Sequence, residues 1–89
     1  MVRIQKAMPL ENYRLRVTFN TGEEGIFSLN RWLKGPIFSK LKDRELFNHV
    51  AIDEIAGTVC WPNGIDLCPD VVYEQTKFSN SREVNTYAE

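Results

Sequence analysis

The chain has one histidine, two cysteines and almost no excess charge: eleven basic residues stand against twelve acidic ones, a formal net charge of −1 over 89 residues. Each shortage excludes something. A near-neutral balance supplies no field to draw in a polyanion, which disfavours nucleic acid and anionic membrane as partners. No apolar run approaches the roughly 20 residues that a membrane helix needs. The charges in Met1-Val2-Arg3-Ile4-Gln5-Lys6 come too early for the hydrophobic region of a signal peptide. A cytoplasmic location with reduced thiols is therefore expected. Cys60 and Cys68 lack the two-residue spacing of a zinc knuckle or a thioredoxin-type pair, so neither a metal nor a cofactor is expected. His49 has no serine, cysteine or paired acid at a motif spacing, and Asp53 and Glu54 are merely adjacent. With no catalytic constellation and no phosphate loop, the expectation is a protein that is not an enzyme.

What is present fits one small domain. The hydrophobic fraction of 43%, with 11% aromatic, is ordinary for a globular chain. A chain this short buries only about 60–65% of its unfolded surface, so a partner or a second copy would add to its stability. The expected domain covers residues 1–77. From Phe78 to Glu89 no hydrophobic period continues, and this tail is expected to be mobile or docked on a partner.

Tyr13, Leu15, Val17 and Phe19 alternate with Asn12, Arg14, Arg16 and Thr18, which predicts a strand with one apolar face and one basic face. Asn20-Thr21-Gly22-Glu23 supplies a turn, and the run from Gly25 to Leu29 returns as the second strand of a hairpin. Val2 to Met8 predicts a weaker edge strand whose apolar alternation is broken by Lys6. A short helical turn near Asn30, one or two short helices from Ile37 to Phe47 with Asp43 as a cap, and a second hairpin from Val50 to Trp61 follow. Pro69 suits the first position of a C-terminal helix, with Val72 and Tyr73 facing inward. The predicted class is α+β: a small antiparallel sheet of two hairpins plus an N-terminal strand, backed by short helices.

The most specified stretch runs from Thr58 to Asp70. In Trp61-Pro62-Asn63-Gly64 the proline fixes its φ while Asn63 and Gly64 tolerate positive φ, so the chain can reverse sharply. Trp61 reads first as a core or rim residue. Asp66 sits between Ile65 and Leu67, and its mundane role is to cap the helix that follows. Its functional role would be to grip a ligand amine or a partner's arginine, with Trp61 and Asn63 completing a binding site for a small molecule or peptide. Cys68 stands where Ser or Asp would normally cap, and with no adjacent cation in sequence it reads as a half-buried small residue rather than a redox sensor. Arg14 and Arg16 share a strand face, either simply solvated or part of an interaction surface.

Taken in order, Tyr13-Arg14-Leu15 with Val17 and Phe19, Thr21-Gly22-Glu23, Phe38, Leu41, Phe47 and Trp61-Pro62-Asn63-Gly64-Ile65-Asp66-Leu67 resemble the bacterial family known as domain of unknown function 2442. The resemblance spans about Val2 to Thr76. It implies a small α+β domain and brings no activity, substrate or catalytic residue. It also implies relatives that look like one half of a toxin–antitoxin-like gene pair, and others with an appended DNA-binding helix-turn-helix, for which the tail after Lys77 is too short. Cys68 departs from the small polar residue or alanine expected before the proline. The expectation is a noncatalytic interaction module for a protein partner or its own copy. The alternatives are the Trp61 and Asp66 binding site, an enzyme using Asp66, His49 or Cys68, and an autorepressor contacting DNA through Arg14 and Arg16.

Overall fold

The structure is a computed structural model and describes residues 1–78. Among these residues six strands, β1 (Ile4–Leu10), β2 (Arg14–Phe19), β3 (Glu24–Ser28), β4 (Ala51–Asp53), β5 (Thr58–Cys60) and β6 (Lys77–Phe78), accompany two helices, α1 (Arg44–Asn48) and α2 (Pro69–Gln75). Short 3₁₀ segments fill the connections at Glu11–Tyr13, Asn30–Trp32 and Phe38–Lys42. The strands form a four-stranded sheet in the order β1-β2-β3-β6 and a separate two-stranded sheet, β4-β5. All pairings are antiparallel. The class is α+β, with the two expected hairpins in different sheets.

β2 carries the expected alternation from Arg14 onward, since Leu15, Val17 and Phe19 have no solvent exposure while Arg14 and Arg16 face out. Asn12 and Tyr13, expected at its start, lie instead in a 3₁₀ turn with φ of +62° and +56°. The β2–β3 turn closes with Phe19 N–H donating to the Glu23 carbonyl at 2.9 Å and Gly22 N–H donating back to the Phe19 carbonyl at 2.9 Å. Gly22 takes φ +92°, a left-handed value that a side chain would strain.

β1 lies at the sheet edge as its charge suggested, but its faces are not those of a plain period-2 strand. Ile4 pairs with Phe19 and Lys6 with Thr18, so Gln5 is an extra residue. This bulge flips the phase. Ile4 is buried and Ala7 and Pro9 are half-buried, whereas Lys6 and Met8 point to solvent, so Met8 does not share the inner face with Ile4.

Asp43 caps α1 as expected, its carboxylate accepting the Glu45 N–H at 3.0 Å. The predicted strand from Val50 to Ile55 shortens to β4 because Asp53 Oδ1 accepts the N–H groups of Ile55 at 3.0 Å and Ala56 at 3.1 Å, turning the chain early. Phe78, the first residue of the expected tail, pairs with Gly25 in the sheet. The rest of that tail, 79–89, lies outside the described residues.

Both sheets contribute to one core. Leu15, Val17, Phe19, Phe27 and Leu29 from the larger sheet and the segment after it join Leu41, Phe47, Val59, Trp61, Ile65, Leu67 and Val72. Two tyrosines at its margin meet core rings edge to face, Tyr13 against Phe47 at 5.3 Å and Tyr73 against Phe19 at 5.0 Å. All inner faces are thus spent on this core, and functional surfaces lie on what remains.

Candidate functional site

The reversal from Trp61 to Leu67 is built as the sequence suggested. Gly64 N–H donates to the Trp61 carbonyl at 3.0 Å, Trp61 N–H to the Ile65 carbonyl at 2.9 Å, and Asn63 Oδ1 accepts the Ile65 N–H at 3.2 Å. Gly64 takes φ +91°. The returning residues run beside β5, with Asp66 bridged to Cys60 and the Leu67 N–H on the Val59 carbonyl at 3.3 Å. Thr58 Oγ1 donates to the Leu67 carbonyl from a buried position.

That strand-like return decides where Asp66 points. Ile65 and Leu67 are buried at 8% and 7% exposure, and successive side chains of an extended segment alternate, so the Asp66 carboxylate stands in solvent. It does not cap α2. The N-cap of that helix is Cys68, which makes no side-chain cap bond, and the expected capping role of Asp66 is corrected accordingly. Cys68 is itself exposed rather than half-buried, and both cysteines are free thiols.

Trp61 is a core residue, 3% exposed, with its indole N–H donated to the Phe47 carbonyl at 3.0 Å and its ring stacked on Phe47 at 6.3 Å. Asn63 lines a shallow depression of ≈ 220 Å³ with Pro36, Ile37, Lys40 and Ile65, and neither Trp61 nor Asp66 borders it. The fold therefore does not bring the three residues together around one cavity. His49, exposed at the end of α1, places Nδ1 2.8 Å from the Glu45 carbonyl oxygen.

The second candidate surface is the outer face of the four-stranded sheet. Alternation places Arg14, Arg16 and Thr18 of β2 outward, opposite Ser28, Ile26 and Glu24 of β3. Met8 pairs with Arg16 on one side and Lys77 pairs with Ile26 on the other, so a row Met8-Arg16-Ile26-Lys77 crosses the sheet. Beside it lies a row Leu10-Arg14-Ser28. Met8 is 56% exposed and Ile26 half-buried. Arg14 is steadied by its Nε donating to the Glu11 carbonyl at 3.1 Å.

At the β6 end this face deepens into a groove of ≈ 340 Å³ lined by Arg14, Ile26, Ser28, Gln75 and Lys77. Sequence reasoning found Arg14 and Arg16 because β2 has a clean period. It missed Lys77 and Gln75, since a two-residue strand following a helix carries no period at all.

Residues 4–78 match the family described as Protein of unknown function (DUF2442), and the chain belongs to that family. Neither the comparison with curated proteins nor that with solved structures gave a match.

Proposed function

We propose that this family member is a noncatalytic protein-interaction module, docking a protein partner or a second copy of itself through the outer face of its four-stranded sheet. The observation that supports this reading is the composition of that face: Met8 and Ile26 beside Arg14, Arg16 and Lys77, drawn together from four strands onto one side. An apolar centre rimmed by guanidinium groups is the anatomy of a contact patch, in which arginine and methionine are enriched. The chain's acids balance its cations overall, so a cation-rich face means that charge is segregated rather than scarce.

Two observations weigh against the other readings. The Trp61 indole and the Asn63 carbonyl oxygen already have internal partners, which leaves little of a ligand site there. The outward residues of β2 and β3 include no aromatic ring on which a base could stack, which weakens the nucleic-acid reading.

Isolation of the native chain at its natural abundance, followed by light scattering, is expected to show a dimer or a stoichiometric complex. Met8→Asp with Arg16→Glu is expected to dissolve it while leaving the melting temperature close to wild type. A monomer without a partner, or an assembly indifferent to both substitutions, sinks the proposal.

A further inference from the structure

The geometry points to the groove between Arg14 and Lys77 as a receptor for two carboxylates on an extended acidic segment of a partner protein. The inference rests on the reading of this face as a docking surface and supplies the partner's chemistry. Its basis is that the polar groups lining the groove are donors with capacity left. Arg14 commits only Nε to the protein, to the Glu11 carbonyl. Lys77 makes no ion pair or side-chain hydrogen bond among the described residues. Gln75 accepts Arg31 Nη1 on its Oε1 at 2.8 Å, which fixes the amide and turns its NH₂ to other partners. Ser28 Oγ accepts the Asn30 Nδ2 at 3.0 Å and keeps its own proton to donate. Among the described residues no carboxylate lines the cavity, and Ile26 is its apolar member.

Such a site selects an anion with an aliphatic stem. The register sets the spacing of the two cations. Arg14 is opposite Ser28, and Lys77 is opposite Ile26 on the other side of β3, so the cations lie two strands apart and offset by two residues. With strands about 4.8 Å apart and a rise of about 3.4 Å per residue, their Cα atoms are about 12 Å from one another. Both side chains are long enough to lean inward over Ile26. Alternate residues of an extended peptide lie on one face about 7 Å apart, so a Glu-x-Glu segment presents both carboxylates to the pair while its methylene stems cover Ile26. Guanidinium and ammonium groups bind carboxylates through charge-assisted hydrogen bonds, the stronger class. A nucleic-acid strand fits less well, because the outward residues of β2 and β3 offer no ring on which its bases could stack.

The test is a titration of the ¹⁵N-labelled full chain with acetyl-Glu-Thr-Glu-Thr-amide, followed by amide shifts. Saturable shifts at Ile26, Ser28, Gln75 and Lys77 are expected. The peptide with Gln at both Glu positions is expected to bind at least tenfold more weakly, as is acetyl-Glu-Glu-Thr-Thr-amide, which has the same charge but sends its acids to opposite faces. Arg14→Ala and Lys77→Ala are each expected to weaken binding roughly tenfold, the equivalent of one charge-assisted bond, with Lys77→Arg restoring it. The amide spectra themselves report whether each variant is folded. Absence of saturable shifts, equal binding of the Gln or rearranged peptide, or indifference to both alanine variants overturns the proposal. Displacement of the peptide by oligouridylate at lower concentration than unlabelled peptide overturns it in favour of nucleic acid. If the peptide fails while Met8→Asp with Arg16→Glu still dissolves the native assembly, the groove assignment falls and the docking face stands. If the peptide binds while the native chain is a partnerless monomer, the groove stands and the wider reading falls.

Discussion

At Gly25 the backbone of β3 runs so close to β6 that a Cβ would stand 2.5 Å from the Lys77 carbonyl oxygen, 2.6 Å from Thr76 Cγ2 and 2.9 Å from Phe78 Cα. Two of those atoms belong to backbone and cannot turn aside. Gly25→Ala must therefore push β6 off the sheet, at a cost of about 1–3 kcal/mol of the overpacking kind, read as a lowered denaturation midpoint. Because β6 carries Lys77, the same substitution is expected to disturb the groove. Glu23 makes a different kind of tie. Its Oε1 accepts the Tyr73 hydroxyl at 2.5 Å and the Thr21 hydroxyl at 2.8 Å, joining the β2–β3 turn to α2. The Tyr73 bond, then the Thr21 bond, hold the Glu23 carboxyl below its ordinary 4.5, and the Glu23 hydrogen bond raises the Tyr73 hydroxyl above its ordinary 10.0. A carboxylate with a lowered folded value stabilises above its unfolded value and loses that contribution as pH falls through the folded one. A phenol with a raised folded value stabilises below its unfolded value and loses that contribution as pH rises through the folded one. The tie thus holds across the range between. Tyr73→Phe is expected to flatten both limbs of a stability–pH profile, most clearly on the alkaline side, where the substitution removes the titrating group itself.

Helix termini show how far local sequence reasoning reaches in this fold. Asp43 was legible as the cap of α1 because an acid two residues before Glu45 is a local signal, and the bond is there. Asp43→Ala is expected to cost about 1 kcal/mol. The start of α2 was only half legible. Pro69 marks its first turn correctly, but the N-cap falls on Cys68, which offers no side-chain bond, and Asp66 is held away by its pairing with β5. Cys68→Ser is accordingly expected to stabilise the protein by about 0.5–1 kcal/mol, and Asp66→Asn to change its melting behaviour by less than about 0.5 kcal/mol. A larger loss on Asp66→Asn would restore the capping role. The strands divide the same way. β2 announces itself through its period, whereas the bulge at Gln5 depends on how β1 meets β2, a non-local fact that no reading of β1 alone contains. The groove is the extreme case, because Arg14 and Lys77 are neighbours only through the pairing of β3 with β6.

The described residues form two sheets over one core, so unfolding is expected to be a single cooperative transition in which both sheets report together. Val59, Trp61, Ile65 and Leu67 from the smaller sheet and its return are buried in the same cluster as Leu15, Val17 and Phe27. What is not buried with them is the turn at 54–56, where Ile55 is 92% exposed. That turn is clasped instead by Arg3. One of its terminal nitrogens donates to the carbonyls of Glu54 at 2.8 Å and Ile55 at 2.9 Å, while the Ile4 N–H donates to the Gly57 carbonyl at 2.8 Å. The guanidinium also lies against Gly57, where a Cβ would meet Arg3 Cζ at 2.7 Å. Removing the clasp leaves the core untouched, so its loss belongs to local opening rather than to global stability. Arg3→Ala is expected to speed hydrogen exchange roughly tenfold at Gly57, whose N–H is held by the Asp53 carbonyl at 2.7 Å, while Val17 and Phe27 keep wild-type protection. Faster exchange at Val17 and Phe27 as well would mean that the turn and the core open as one unit and that Arg3 supports the entire fold.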